Sequence, residues 1–240
     1  MRMRPAWLAL VAAGSATASV YLTCAGLSWI RYGSARPGVA RNQLLDRFMP
    51  EYDVVERHQI SVDAPPAITF AVARDQDVLQ SGAARLIFRA RELALGATPD
   101  KQVRPRGLVD MTLSLGWGIL AEVPGHEIVV GAVTKPWEAN VQFRALPPDR
   151  LAAFDEPGYV KIVWMLRADP ATSGRSVYRT ETRAIATSAD ARARFRRYWA
   201  FASPGIGAIR WLSLRPLKQD AERRARETRA AEGRSAGGLP

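Results

Sequence analysis

Residues Tyr159 to Ala186 read YVKIVWMLRADPATSGRSVYRTETRAIA, two alternating runs separated by a short stretch containing Pro170 and Gly174. Successive side chains of a strand point to opposite faces, so each run sorts its residues by parity. In the first run Val160, Ile162, Trp164, Leu166 and Ala168 share one face, while Lys161 and Arg167 lie on the other. In the second, Tyr178, Thr180, Thr182 and Ala184 stand opposite Arg179, Glu181 and Arg183. The pattern predicts an antiparallel hairpin with its charged face in solvent and its other face inside. That inner face carries Trp164, Tyr178 and two threonines, more polar than a plain core requires, although Thr and Tyr are also good strand formers.

The stretch LGWGILAEVPGHEIVVGAVTKPW, Leu115 to Trp137, extends the same theme upstream. Pro124-Gly125 presets a turn through the fixed φ of proline and the tolerance of glycine for positive φ, so Trp117–Val123 and Glu127–Val133 are predicted to pair as strands. Glu122 and Glu127 then flank a bend and are expected near one another on an exposed edge. Further upstream, Val54 to Ser61 alternates as a strand and ends at Pro65-Pro66. AITFAVARDQ and SGAARLIFRARELALG follow as helices, the second with Ala84, Ile87, Phe88, Arg91 and Leu95 near one face and Gly96 at its end. Residues 98 to 107 read as a loop. A strand is expected in ANVQFR, then a loop or helical turn after Pro147-Pro148.

The chain closes with a long helix opened by Ser188, a residue of capping type. Phe195, Trp199, Ala202, Ile206, Ile209 and Leu212 recur at three or four positions and predict its apolar side. Pro204-Gly205 is expected to kink or break it. From Lys218 onward the charges alternate, which predicts a solvated tail.

Length and charge bound the rest. The chain has 240 residues, 48% of them hydrophobic and 24% charged, enough for one domain with a real core and appendages. It carries 34 Lys and Arg against 23 Asp and Glu, a net charge of +11. The arginines are spread along the chain and accompany no nucleic-acid module, so no nucleic-acid partner is expected. Cys24 is the one cysteine and His58 and His126 the only histidines, which excludes an internal disulfide and leaves no metal or cofactor signature.

Ala6 to Ile30 runs without a charge after Arg2 and Arg4, long enough to cross a hydrocarbon core. It is read as a single membrane anchor that reaches an interfacial Trp29. The alternative is a secretory signal cleaved after Ala16-Thr17-Ala18. Arginines flank both ends, so orientation is open. The organisation expected is an anchor over 1–30, a linker over 31–49, a domain over 50–217 and a charged tail over 218–240.

Strand, helices, antiparallel strands and a long closing helix define an α+β arrangement. The phrases MPEYDVVERHQISVDAPPAITFAVA, LAEVPGHEIVVGAVTKPW, FDEPGYVKIVWMLRA, TETR and ARFRRYWAFASPGIGAIR resemble those of uncharacterised bacterial members of the SRPBCC, or START-like, superfamily, often labelled polyketide cyclase/dehydrase and lipid-transport-like. The resemblance spans roughly residues 50–217. It implies a helix-grip fold, a curved antiparallel sheet around the terminal helix, with a deep pocket between them for lipids, polyketides, quinones or other apolar molecules. By position it implies that Trp117, Trp164, Tyr178, Thr180 and Thr182 face that pocket from the sheet and Phe195 and Trp199 from the helix. Each is also a plausible packing residue, since aromatic side chains carry large burial energies anywhere.

The functional reading is a membrane-associated binding protein for a small hydrophobic ligand. The rival is a cyclase or aromatase, which requires a general acid or base inside the pocket. Glu122, Glu127 and His58 are the candidates for that role; with no catalytic signature, the reading leans away from an enzyme. A third reading sets the basic tail, seven basic against four acidic residues between Arg215 and Arg234, against anionic headgroups.

Overall fold

The computed structural model describes residues 5–34, 42–77, 81–97 and 105–236. In chain order it contains α1 (Pro5–Arg31), α2 (Gln43–Asp46), β1 (Val54–Val62), α3 (Pro66–Asp75), α4 (Gly82–Leu95), α5 (Leu108–Ser114), β2 (Gly118–Val123), β3 (Glu127–Thr134), β4 (Phe143–Arg144), α6 (Pro148–Ala153), β5 (Val160–Pro170), β6 (Ser176–Ala186) and α7 (Ala189–Ala236). The six strands form one antiparallel sheet in the order β1-β6-β5-β3-β2, with β4 added to β3. The sheet curves and α7 lies across its concave face, the helix-grip arrangement.

Local chemistry explains the elements. His126 donates its amide to the Val123 carbonyl at 3.0 Å, and Gly125 takes φ 71°, so Val123-Pro124-Gly125-His126 closes the β2–β3 hairpin as a type II turn. Ser81 caps α4 through its hydroxyl and Gly96 ends it in the left-handed region. β3 is buried along its whole length because both faces of the sheet are covered there. The loop expected over 98–107 lies largely outside the described residues; its last part leads into α5, a short helix that the sequence reading did not separate from its surroundings.

Two cores result. On the concave face Val130, Trp164, Leu166, Ala168 and Tyr178 pack against Phe70, Val72 and Ala73 of α3 and Leu214, Leu217, Ala221 and Ala225 of α7. On the convex face Val129, Val133, Val163 and Met165 pack under Leu45, Phe48 and Met49, with Leu151 of α6 alongside. The β2 strand bulges between Ile119 and Ala121, and Leu120 enters this second core against Gly131. A Cβ on Gly131 would lie 2.6 Å from methyl groups of both Leu120 and Leu151, so a glycine here is a requirement of packing.

This second core corrects several expectations. The charged face of the hairpin is not wholly in solvent: Arg183 is 1% and Glu181 5% exposed, whereas the Arg179 side chain remains 41% exposed. The stretch expected to link anchor and domain contributes from Asn42 onward, with Leu45, Phe48 and Met49 all buried; residues 35–41 of that stretch lie outside the described residues. Glu122 and Glu127 do not share an edge. The register pairs Val123 with Glu127 and Glu122 with Ile128, which sends the two carboxylates to opposite faces. Glu122 joins Arg74 of α3, whereas Glu127 is buried and accepts a hydrogen bond from Asn42 Nδ2 at 2.8 Å.

The closing helix is also different. It continues through Pro204 and Pro216 to residue 236 without a break. Proline inside a helix costs about 3 kcal/mol; burial of the stripe on both sides of Pro204 outweighs that cost. The buried stripe runs through Phe195, Trp199, Ser203, Leu214, Leu217, Ala221 and Ala225. Trp211 is 59% exposed and Leu212 lies outside as well, so the expected apolar face drifts out of phase after Ile206. The tail is helical and partly core, not wholly solvated, because Ala221 and Ala225 reach the sheet end near Val62.

Among the described residues no helix is long and apolar enough to cross a membrane, so the expected transmembrane span gains no support. The C-terminal half of α1 packs on α7. Ser203 Oγ and Ser28 Oγ meet at 2.7 Å, the Tyr21 hydroxyl donates to the Phe201 carbonyl, and Arg196 donates to the Trp29 carbonyl with its guanidinium 4.2 Å above the Trp29 ring.

Candidate functional site

The half of the grip nearer α5 is filled by the first core. The other half opens into a cleft of about 390 Å³ between α1, the edge strand β1 and the middle of α7. Leu27 and Tyr32 come from the α1 side, Val54, Glu56 and His58 from β1, and Trp199, Pro204 and Gly207 from α7. Gly207 leaves the helix surface without a side chain at this point, with open space beside it.

Asp53 fixes the rim. Its carboxylate accepts hydrogen bonds from the Ala186 amide at 2.9 Å and the Tyr32 hydroxyl at 3.2 Å and pairs with Arg192 at 3.2 Å, which ties β6, the end of α1 and α7 to one residue. Burial, then the neighbouring Asp53 charge, push the Tyr32 hydroxyl well above the ordinary tyrosine pKa.

Beyond Gly207 the polar face of the grip gathers around Arg210. The antiparallel register sets Glu56 opposite Thr182 and His58 opposite Thr180. Arg210, one turn along α7, donates from Nη1 to Thr180 Oγ1 at 3.1 Å and from Nη2 to Thr182 Oγ1 at 2.6 Å, and its guanidinium lies 6.0 Å from the centre of the Trp164 ring. Trp164 Nε1 donates to the same Thr180 oxygen at 3.0 Å. Burial lowers the Arg210 pKa, opposed by Tyr178 and Glu56. Burial raises that of Tyr178 to about 12, opposed by the charge of Arg210 and a hydrogen bond from Thr180. Among the described residues no carboxylate forms an ion pair with Arg210. On β1, His58 Nε2 is buried without a hydrogen-bond partner and stands within ion-pair distance, 3.5 Å, of Glu56 Oε2.

The structure thus brings Trp164, Tyr178, Thr180 and Thr182 together on the concave face and places Trp199 on the cleft wall. Phe195 is buried instead in a third cluster with Val54, Val160 and Ala184. Trp117 lies towards the far end of the sheet with its ring 5.1 Å from that of Phe143. Of the three possible acid–base groups only His58 lines the cleft. Sequence reasoning missed Arg210, yet a signal existed: it stands four residues after Ile206 and four before Leu214, a charge inside the buried stripe of a helix.

Fold and site together define a helix-grip α+β domain with a side cleft beside its terminal helix. No family model matches the chain, and no curated protein matches it. Among solved structures it is similar to a hypothetical protein from Helicobacter pylori, at 8% identity and TM-score 0.38 over 78% of this chain and 99% of that one. It is also similar to the Zhui aromatase/cyclase from Streptomyces sp. R1128, at 13% identity and TM-score 0.26 over 71% and 94%, and to CalU16 from Micromonospora echinospora, at 12% identity and TM-score 0.24 over 72% and 97%. The order of elements and the position of the closing helix are those of a helix-grip arrangement.

Proposed function

We propose that this chain is a binding protein that holds a small hydrophobic ligand, lipid-, polyketide- or quinone-like, in the cleft between α1, β1 and α7, and that its N-terminal segment brings it to a membrane. The supporting observation is the cleft itself. Its volume of about 390 Å³ falls within the range of small-molecule sites, and Leu27, Val54, Pro204 and the Trp199 ring offer apolar wall. Burial of apolar ligand surface there contributes roughly 25 cal/mol per Å². Native mass spectrometry of the full chain after gentle extraction is expected to show a bound apolar molecule. Consistently empty protein that also takes up no added alkyl probe sinks the reading.

One observation favours a second reading, a cyclase-type enzyme in the same cleft. His58 lines the cleft, and its Nε2 has no hydrogen-bond partner but stands 3.5 Å from Glu56 Oε2, a pairing of imidazole and carboxylate that a general acid or base can use. Under this reading a reactive polyketone chain incubated with the protein gains aromatic absorbance, and His58→Ala removes the gain. Equal absorbance with both proteins excludes His58 chemistry.

A further inference from the structure

We propose that the groove between the end of α4 and the first turns of α7 is a docking site for anionic phospholipid at a bilayer surface, with Arg194 and Arg197 on the headgroup and Leu95 and Phe201 against the acyl chain. The site is separate from the cleft and from the N-terminal segment, and it goes beyond the reading given for both.

Helix geometry supplies the first observation. Residues three, four and seven apart share a face of a helix, so Arg194, Arg197, Tyr198 and Phe201 line one side of α7. Leu95 enters the groove from the last turn of α4 and Trp137 from the loop after β3. Trp137 and Tyr198 pack on the third buried cluster, around Phe195 and Trp199, which holds the walls in place. The space measures about 330 Å³, at the lower end of the range for small-molecule sites. No acidic side chain lines it.

The two arginines are the second observation. Both are exposed, and among the described residues neither makes a hydrogen bond, an ion pair or a ring contact. Their neighbours on the same turns are engaged: Arg192 pairs with Asp53 at 3.2 Å, and Arg196 donates to the Trp29 carbonyl at 3.0 Å. Of the carboxylates nearby, Glu138 stands 4.0 Å from Lys135, and Asp190, one turn before Arg194, is exposed to water. Apolar walls with two uncommitted guanidiniums on the rim complement a molecule that is greasy at one end and anionic at the other. A phosphate is such a head, because its oxygens accept paired N–H bonds from a guanidinium.

The surroundings select the bilayer over a soluble molecule. Phe201 is 44% exposed, and its ring centre lies 6.4 Å from that of Tyr21 on α1. Next to Tyr21 in the chain, Val20 and Leu22 are 64% and 69% exposed; on α4, two residues before Leu95, Leu93 is 77% exposed. Bare apolar side chains thus continue from the groove onto α1 and α4. A lipid leaflet covers such a surface, with its acyl region on the apolar groups and its anionic heads on the arginines.

The test is flotation of the full chain with vesicles of phosphatidylcholine, alone or mixed with phosphatidylglycerol. The native chain is expected to partition at least about tenfold more strongly onto the anionic vesicles. The double variant Arg194→Gln, Arg197→Gln is expected to lose most of that preference. The control Arg224→Gln, Arg229→Gln removes equal charge about 45 Å further along α7 and is expected to keep it. Phe201→Ser is expected to weaken binding to both vesicle types. All five positions are exposed, so the variants are expected to fold. Equal losses in the two double variants reduce the effect to net charge and overturn the site. Equal partition of the native chain onto both vesicles also overturns it, while membrane attachment through the N-terminal segment stands. Self-association without vesicles that Phe201→Ser abolishes assigns the groove to a second copy and overturns it as well. If the N-terminal segment carries every variant fully onto both vesicles, monomeric dihexanoyl phosphatidylglycerol and dihexanoyl phosphatidylcholine decide by titration calorimetry. A preference for the former that Arg194→Gln, Arg197→Gln removes supports the site, and equal affinity overturns it.

Discussion

Arg183 shows how far a single side chain can depart from its local pattern. It lies fully buried on the convex face, bonded to Glu181, Asp46 and the Met49 carbonyl, with the Tyr52 ring 4.9 Å from its guanidinium. Arg57 joins the same cluster through Glu181 at 3.0 Å. Removing one partner of a buried pair leaves an uncompensated charge, which costs about 3–5 kcal/mol. Glu181→Ala is therefore expected to lower unfolding stability by roughly that amount, read as the urea midpoint. Asp220→Ala, which breaks an exposed pair with Arg223, is expected to leave the midpoint essentially unchanged. Similar losses in both variants would remove the distinction between the sites. Arg210 is the counterpart on the concave face, held by two threonine hydroxyls.

At the scale of elements, the segment around α2 behaves as a cover for the sheet. Asn42 caps α2 through its side chain and also donates to Glu127, so one residue anchors the segment to β3. Leu45, Phe48 and Met49 then close the convex core. A chain beginning at residue 50 would lose all of these and leave Arg183 without Asp46. It is expected to bind a hydrophobic dye and to unfold at lower urea than the full chain, whereas a linker could be removed without either effect. The strands, the two mid-chain helices and the Pro-Gly turn were legible because each is written in local periodicity or turn chemistry. The continuity of α7 was not, because Pro204 argues for a break and only tertiary burial on both sides of it argues against. For the same reason the helix phase after Ile206 was misread: Ile209, Trp211 and Leu212 are apolar, but the sheet meets Arg210 and Leu214.

In the whole molecule the cleft depends on a contact between distant parts of the chain. α1 supplies one wall and is held to α7 by Ser28, Trp29 and Tyr21. Deleting residues 1–30 is expected to weaken decanol binding at least about tenfold, from the loss of apolar wall, while far-UV circular dichroism and cooperative unfolding of the remainder persist. Unchanged binding would place the ligand elsewhere. Of the seven residues that the resemblance assigned to a pocket, four converge around Arg210 and one lines the cleft, whereas Trp117 and Phe195 serve packing. The difference arises because α3 and the end of α7 fill half of the grip, which no short stretch of sequence announces.

By itself the sequence determined which residues share a face, where the turns fall and that the chain ends in a long helix. Each of these follows from backbone geometry over a few residues, where side-chain period and the φ of Pro and Gly decide. Only the tertiary structure decided which faces are covered. The charged side of the β5–β6 hairpin became interior because residues 42–53 fold back over it. The space beside β1 became a cleft because α1 and a side-chain-free turn of α7 meet there. Burial is a property of what lies opposite, and what lies opposite is set by residues far away in the chain.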